Sequence, residues 1–559
     1  MASKGKRRSS PPARPAKAPP PPNTESAAPR PGWGAPWVLP VAIVLLTALA
    51  YASAYGRGFV WDDEHHIAAN TTLRDAAGLA RMWTDVRSLP QFYPLTHTTF
   101  WLEYRLWGPH PLGYHVTNVL LHAANAVLVG VALRRLAVPG AWLAAALFAV
   151  HPVHVESVAW ITERKNVLSG LFYLLAGLAY LTFTGIGTRD RAPAADRPTR
   201  GHWGWYAAAC ALFACALLSK SVTASLPAAL GLILWWKRSL TWRHVALLLP
   251  MLIAGAAMGR LTAWLEVHHV GARGPAFDFS VADRVLIAGR ALWFYLGKLL
   301  WPHQLIFTYP RWHIDDDAAW QYLFPLAAVA LVATLVALRH RVGRAPLVAA
   351  LFFGGTLFPA LGFADVFPML FSFVADHFQY LASIGPIALF AAVVTRYCPR
   401  AWAAAPAAVL LPVLALQTYT QCFAYDDYET LYRDTIEKNP AAWMAHNNLG
   451  TLLEFVGRHD EAIASYTLAA AHVDYDPDAH VNLGKLLTQI GRPAEAVPHL
   501  RTAVRIAPAD ADAHFQLARA LEATGDRNAA ITAYRQALRL RPGWDQPTAR
   551  LEALTRPPK

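Results

Sequence analysis

The chain has 559 residues, 55% of them hydrophobic and only 16% charged, with a mean hydropathy of +0.25. A soluble domain carries about 25% charged residues, so a wholly soluble protein is excluded. The net charge of +13 lies in a tail and in short loops between apolar segments, which is the pattern of membrane topology and excludes nucleic acid as the partner.

Residues 1–36 hold Lys4, Lys6, Arg7, Arg8, Arg14, Lys17 and Arg30 against Glu25 alone, with ten of the 41 prolines. No apolar period runs through them, so this stretch reads as a disordered, basic cytoplasmic tail. The apolar run at 37–55 is a full span rather than the 7–15 residues of a cleavable signal core. Further candidate spans follow at 113–133, 141–157, 166–184, 203–219, 221–236, 244–264, 321–338, 345–363, 378–395 and 401–420. A further apolar stretch, 284–301, contains Arg284, Arg290 and Lys298.

Loop charge arbitrates. With the tail inside, Arg134 and Arg135, then Arg189, Arg191, Arg197 and Arg200, then Lys237, Arg238 and Arg243 fall on the cytoplasmic side. The clusters Arg339, Arg341, Arg344 and Arg396, Arg400 join them only if 284–301 does not cross. The prediction is therefore about eleven spans across 37–424, with 284–301 re-entrant or interfacial on the far side. That parity puts the C-terminal region on the far face, which in a bacterial inner membrane is the periplasm.

Past a connector at 425–440, the sequence repeats. Gly457, Gly491 and Gly525 are spaced by 34 residues, as are Ala462, Ala496 and Ala530, and Pro508 and Pro542. Asn448-Leu449-Gly450 recurs as Asn482-Leu483-Gly484. This is the signature of tetratricopeptide (TPR) helix pairs. Three repeats over 441–545, followed by a tail at 546–559, predict a short α-solenoid that binds protein or peptide. The fold class is all-α throughout.

Chemistry gathers on the predicted far face. "GFVWDDEHHI" brings Asp62, Asp63 and Glu64 to the end of the first span, where carboxylates serve chemistry or ion binding more often than structure. "HPVHVESVAWITERKN" offers Glu156, Glu163, Arg164 and Lys165 at a second mouth. "LLSKSV" contributes Lys220, "TYPRW" contributes Tyr309 and Arg311, and "FVADHFQY" contributes Asp376 and His377. Acids beside cations suit a carboxylate base that activates a nucleophile while Lys and Arg neutralise a departing phosphate. Asp63 and Glu64 also offer oxygen ligands for an optional divalent cation, Mg²⁺ or Mn²⁺. A zinc site at His65, His66, His151 and His154 lacks any HExxH or paired-cysteine pattern.

Those segments, with "FYPLTHTTFWLEYRLWGPHPLGYHVTNVLLHAANAVL" and "LLSKSVTASLP", run in one order over about residues 37–545. In that order they resemble the transmembrane-and-TPR (TMTC) proteins, protein O-mannosyltransferases of the GT-C superfamily. The resemblance implies an inverting membrane enzyme that takes a sugar from a polyprenyl-phosphate donor. It implies Asp62 or Asp63 as the base toward a Ser or Thr hydroxyl, and Glu156 or Glu163 as a supporting acid. Glu163, Arg164, Lys165, Lys220 and His377 would face the donor phosphate and sugar. An exported protein held by the TPRs would be the acceptor. Members of the family can have many more TPRs than three. The competing reading is a non-catalytic membrane scaffold that recruits envelope proteins through its TPRs.

Overall fold

The computed structural model describes residues 1–2, 5, 37–187, 203–398 and 404–556. Nearly all of the basic tail, and Arg189, Arg191, Arg197, Arg200 and Arg400, lie outside the described residues. Within them the chain is helical, with no strand.

Five described helices are long and apolar enough to cross a membrane: Pro111–Arg135, Ile161–Phe183, Trp242–Val270, Ala319–Leu338 and Ala407–Tyr425. The pair Ala141–Val150 and Pro152–Ala159, bent by 56°, makes a sixth if counted as one span. The other predicted spans coincide with apolar helices of 10–17 residues, such as Val38–Ala50 and Ile384–Tyr397, so the expected eleven are not reached by length. The chain is a membrane protein. The 284–301 stretch forms one uninterrupted helix, Val281–Leu300, started by a Ser280–Asp283 capping box rather than folded as a hairpin. Its cations are occupied: Arg284 pairs with Asp365 at 2.9 Å, and Lys298 donates to the carbonyls of His303 and Gln304.

Three breaks in apolar helices position the chemistry. Pro152, which lacks an N–H, ends the helix Ala141–Val150 and opens a run of short turns that carries Glu156, Trp160 and Glu163 before the helix Arg164–Phe183. Lys220 is extended between the helices Trp203–Ser219 and Leu226–Trp236. His377 sits in the 3₁₀ turn Asp376–Gln379 ahead of Ile384–Tyr397. Irregular backbone of this kind survives at a membrane only where protein or a polar cavity satisfies it.

The C-terminal region stacks antiparallel helix pairs: Trp443–Phe455 with His459–His472, Asp478–Gln489 with Pro493–Ile506, and Ala511–Ala523 with Arg527–Leu540. The 34-residue spacing is explained by close approach. A Cβ on Gly450 would meet the Tyr466 ring at 2.7 Å, and one on Gly484 would meet Leu500 at 2.4 Å. Gly457, Gly491 and Gly525 end the first helix of each pair at φ of +79°, +81° and +84°, the left-handed region glycine enters freely. Helix extends beyond the repeats on both sides. The presumed connector contains Tyr428–Lys438, and the segment after 545 continues as Asp545–Thr555, with Trp544 packed on Phe515 at 4.7 Å.

The repeats dock on the membrane domain beside the first loop. Trp443 packs on Phe371 at 5.4 Å, Tyr475 Oη donates to the Leu370 carbonyl, and Asn439 donates to the Thr308 carbonyl. Arg57 pairs with Asp426 at 2.8 Å. Gly484→Val should lower the stability of the solenoid by about 1–3 kcal/mol through overpacking. Thermal unfolding of the full chain in detergent checks it, and an unchanged midpoint would contradict the close packing.

Candidate active site

The first loop is built by a carboxylate. Trp61 adopts a φ of +52°, which strains a residue with a Cβ by about 1–2 kcal/mol. Asp63 holds this turn: its Oδ2 accepts the Val60 N–H at 3.0 Å, and its Oδ1 accepts the Thr162 N–H at 2.8 Å. One fully buried side chain (0% exposed) thus ties the first loop to the second. Burial, then the charge of the adjacent Asp62, pushes its carboxyl up to about 8 against the pull of the two N–H groups. The strained turn aims the Trp61 indole into an aromatic cluster with Phe307, Phe371 and Tyr432.

Asp62 has the opposite character. Its side chain keeps 28% exposure. Oδ1 accepts the Trp160 indole N–H at 3.0 Å and the Thr162 hydroxyl at 2.6 Å, and Oδ2 lies 3.3 Å from His66 Nε2. Burial works against its ionisation, yet His66, Lys165 and the Thr162 hydroxyl together hold it below the usual carboxylate range. Of the two aspartates, Asp62 is therefore the ionised and reachable one.

Cations gather near Trp160 around Glu163. Lys165 Nζ lies 5.6 Å from the centre of the Trp160 ring and 2.8 Å from Glu163 Oε1. Lys220 Nζ donates to Glu163 Oε2 at 3.1 Å and to Asn166 Oδ1 at 2.8 Å. His377 Nε2 is 3.9 Å from Glu163, and its Nδ1 is 3.1 Å from Glu156, an ion-pair distance without hydrogen-bond alignment. Glu156 also accepts the His377 backbone N–H at 2.8 Å. An ammonium has three donors, so both lysines can hold Glu163 and still reach an incoming anion. Asp376, beneath this cluster, accepts the Tyr309 hydroxyl on both oxygens. Burial, then the charge of Glu156, keeps it well above the usual carboxylate range. A cavity of about 150 Å³ opens between Trp61, Trp160, Glu156, His377 and Met444, the last supplied by the first TPR helix.

Two expected roles do not match this geometry. Arg164 points away from the cation cluster and is fully buried, paired with Glu103 and bonded to Asn118 Oδ1 at 2.6 Å and the Tyr114 carbonyl at 2.9 Å. It alternates with Lys165 around the helix, so adjacent cations in the sequence face different neighbours. Asp63 and Glu64 do not converge on a metal either. Both Asp63 oxygens are engaged by N–H groups, whereas Glu64 is exposed and accepts Tyr428 Oη at 3.4 Å. Among the described residues, the group of acids close enough to share an ion is the exposed Asp315-Asp316-Asp317. Nor do the zinc candidates meet: His154 spends its nitrogens on the Phe148 carbonyl and Ser383 Oγ, and His151 Nε2 on the Leu299 carbonyl. Arg311 bonds the carbonyls of Met369 and Ala276.

The structure also brings in residues that the motif reading passed over. Trp160 and Thr162 lie inside the "VESVAWITERKN" stretch but carry no charge to flag them. Asn166 bridges Glu163 and Lys220. His97, from the helix Pro94–Trp107, reaches His66.

Comparison with known proteins follows this division of the chain. A tetratricopeptide repeat family model matches residues 425–477, and a bacterial transcriptional activator domain model matches 469–556. The protein O-mannosyl-transferase TMTC4 of Mus musculus is 34% identical over 175 residues, covering 26% of this chain and 24% of that protein. Its Homo sapiens counterpart is 37% identical, covering 27% and 23%. The protein O-mannosyl-transferase Tmtc1 of Drosophila melanogaster is 38% identical over 146 residues, covering 24% and 17%. The chain thus spans less than a quarter of the length of these relatives. Among solved structures, the first TPR of Spaghetti (RPAP3) bound to HSP90 peptide SRMEEVD covers 20% of this chain and 89% of its own, at 22% identity and a TM-score of 0.20, too low to carry any inference.

Asp63 generates a pH prediction. Its folded value of about 8 lies above the ordinary 3.8, so the folded state binds the extra proton and loses stability as pH rises through that window. The melting midpoint in detergent should fall between pH 6 and 9 for the native chain, and Asp63→Asn should flatten that fall. Because an amide cannot accept both N–H groups, the variant should also lose about 1–3 kcal/mol at pH 6. A slope unchanged by the substitution would contradict the clamp. For Arg164→Met, breaking a buried pair predicts a loss of about 3–5 kcal/mol, read as poor yield of folded protein rather than altered donor affinity.

Proposed function

We propose that this relative of the TMTC protein O-mannosyltransferases is a membrane glycosyltransferase that moves a mannose-like sugar from a polyprenyl-phosphate donor to a hydroxyl of an exported protein. The observation that carries the reading is the arrangement around Trp160, with an ionised, reachable carboxylate on its N–H, Lys165 near its ring, and Lys220 and His377 gathered with Lys165 around Glu163. Asp62 takes the proton of an acceptor Ser or Thr as its oxygen attacks the anomeric carbon. Lys165 and Lys220 neutralise the departing lipid phosphate, with His377 oriented by Glu156 and Glu163. Attack from the Asp62 side, opposite the phosphate, inverts the anomeric centre.

Asp63 acts through geometry, since it fixes the loop that presents Asp62. Glu163 holds the lysines at working distance, and Asn166 braces Lys220. Met444 in the cavity lining supports a role for the TPR region in presenting the acceptor. In a bacterial inner membrane this face would be the periplasm, with the basic tail in the cytoplasm.

The test is release of lipid phosphate by the reconstituted chain from a panel of polyprenyl-phosphate sugars, with an extract of envelope proteins as acceptor. Asp62→Asn should lose about 10²-fold or more in kcat, and Lys165→Ala with Lys220→Ala should lose a comparable factor. Turnover by the native chain together with full activity of Asp62→Asn would remove Asp62 as the base. No turnover with any donor, alongside TPR-dependent capture of an envelope protein, would support the scaffold reading.

A further inference from the structure

The site contains two histidines, His66 and His97, to which the reaction outlined above gives no role. They form a line running away from Asp62. Asp62 Oδ2 is 3.3 Å from His66 Nε2, His66 Nδ1 is 3.3 Å from His97 Nε2, and His97 Nδ1 is 3.1 Å from the Tyr93 carbonyl.

The hydrogen-bond roles along this line can be assigned from its buried end. The Tyr93 carbonyl can only accept, so His97 carries a proton on Nδ1. Burial holds His97 down to about 3, so the ring is neutral and its Nε2 is an acceptor. His66 must then present Nδ1–H to it. That leaves His66 Nε2, the atom facing Asp62, as the ring's one basic position.

Asp62 is equally constrained. Its Oδ1 already accepts from the Trp160 indole and the Thr162 hydroxyl, so a proton arriving at this carboxylate is taken by Oδ2, beside His66. The groups around the pair are Asp63, Glu64 and His65 on the same loop, His97 on Pro94–Trp107, Lys165 near Trp160, and Tyr428 and Tyr432 on the helix ahead of the repeats. Lys165 and the Thr162 hydroxyl both favour the ionised form of Asp62, making it a poor keeper of a proton. The His66 side chain is 14% exposed, so the ring has an outlet to water.

We propose that His66 receives from Asp62 the proton removed from the acceptor hydroxyl in each turnover, and that His97 is the positioning residue holding His66 in the tautomer able to do so. This rests on Asp62 being the base of a glycosyl transfer. The acceptor O–H bond breaks and its oxygen bonds the anomeric carbon. The bond from that carbon to the phosphate oxygen breaks, and its electron pair leaves on the phosphate, facing Lys165 and Lys220. The proton goes to Asp62 Oδ2, then to His66 Nε2, and the imidazolium returns it to water. Asp62 is thereby ionised again for the next acceptor.

The test uses the full chain in vesicles with a donor it turns over and a Ser/Thr peptide. His66→Ala should lower kcat about 10–100-fold, at the lower end of what a positioned proton acceptor contributes, with KM for donor and peptide within about twofold. Added imidazole should restore turnover, and across substituted imidazoles the restored rate should rise with their basicity. His66→Asn keeps an N–H toward His97 but has no basic atom, so it should lose as much as His66→Ala. Full activity of His66→Asn would make the ring a brace and overturn the proposal, as would a loss in His66→Ala that no imidazole restores. If the native chain transfers no sugar from any donor, the glycosyltransferase reading itself falls, and this inference with it. An active native chain with active His66 variants overturns the inference alone.

Discussion

The Asp63 carboxylate spans two loops, and the arrangement of the site depends on it. One buried side chain accepts N–H groups from Val60, three residues before it, and from Thr162, about a hundred residues later. The first contact holds Trp61 in a conformation it would otherwise avoid, and the second brings Thr162 and Trp160 against Asp62. Without that bridge, the first loop would keep the Asp62 bonds to Trp160 and Thr162 and the ring packing of Trp61, but lose the carboxylate that holds its turn. With it, two adjacent aspartates take opposite parts, one neutral-leaning and structural, the other ionised and open.

The membrane domain adds breaks in otherwise apolar helices. Pro152, Lys220 and the turn at Asp376–Gln379 interrupt three separate segments, and each interruption delivers a polar group to the same place. Unsatisfied polar groups in a membrane cost several kcal/mol each, so the pairing among Glu156, Glu163, Asn166, Lys165, Lys220 and His377 is what makes the gathering tolerable. Within the cluster each cation lies beside a carboxylate. In the proposed reaction the departing phosphate shares the lysines with Glu163 rather than meeting unpaired charge, which would let the site hold an anion and still release it. The TPR region shares in this site, because Met444 lines the cavity while Trp443 and Tyr475 fasten the first repeat beside it.

Much of this architecture was legible in the sequence because it is periodic or compositional. The 34-residue step reports a close approach of helices that tolerates only small residues at Gly450 and Gly484. The span positions follow from apolar runs, although several helices are shorter than hydropathy implied because proline and polar residues cut them. The convergence of "WDDEHH", "VESVAWITERKN", Lys220 and His377 was legible as shared motifs on one face. The division of labour within it was not. Whether Asp62 or Asp63 is buried depends on a turn at Trp61, a residue whose left-handed backbone no pattern announces. Arg164 and Lys165 look alike in sequence, but a step of one residue around a helix turns one toward Glu103 and the other toward Glu163. Trp160, Thr162 and His97 matter through hydrogen-bond roles that composition does not encode.

The most direct test of the central claim, that the Asp63 bridge sets Asp62 opposite a lysine-lined phosphate seat, is a structure of the full chain with a non-hydrolysable polyprenyl-phosphonate sugar. The account predicts the phosphonate on Lys165 and Lys220, with the anomeric carbon facing Asp62 across Trp160 and both Asp63 N–H bonds kept. A phosphonate seated elsewhere, or an anomeric carbon turned away from Asp62, would contradict it.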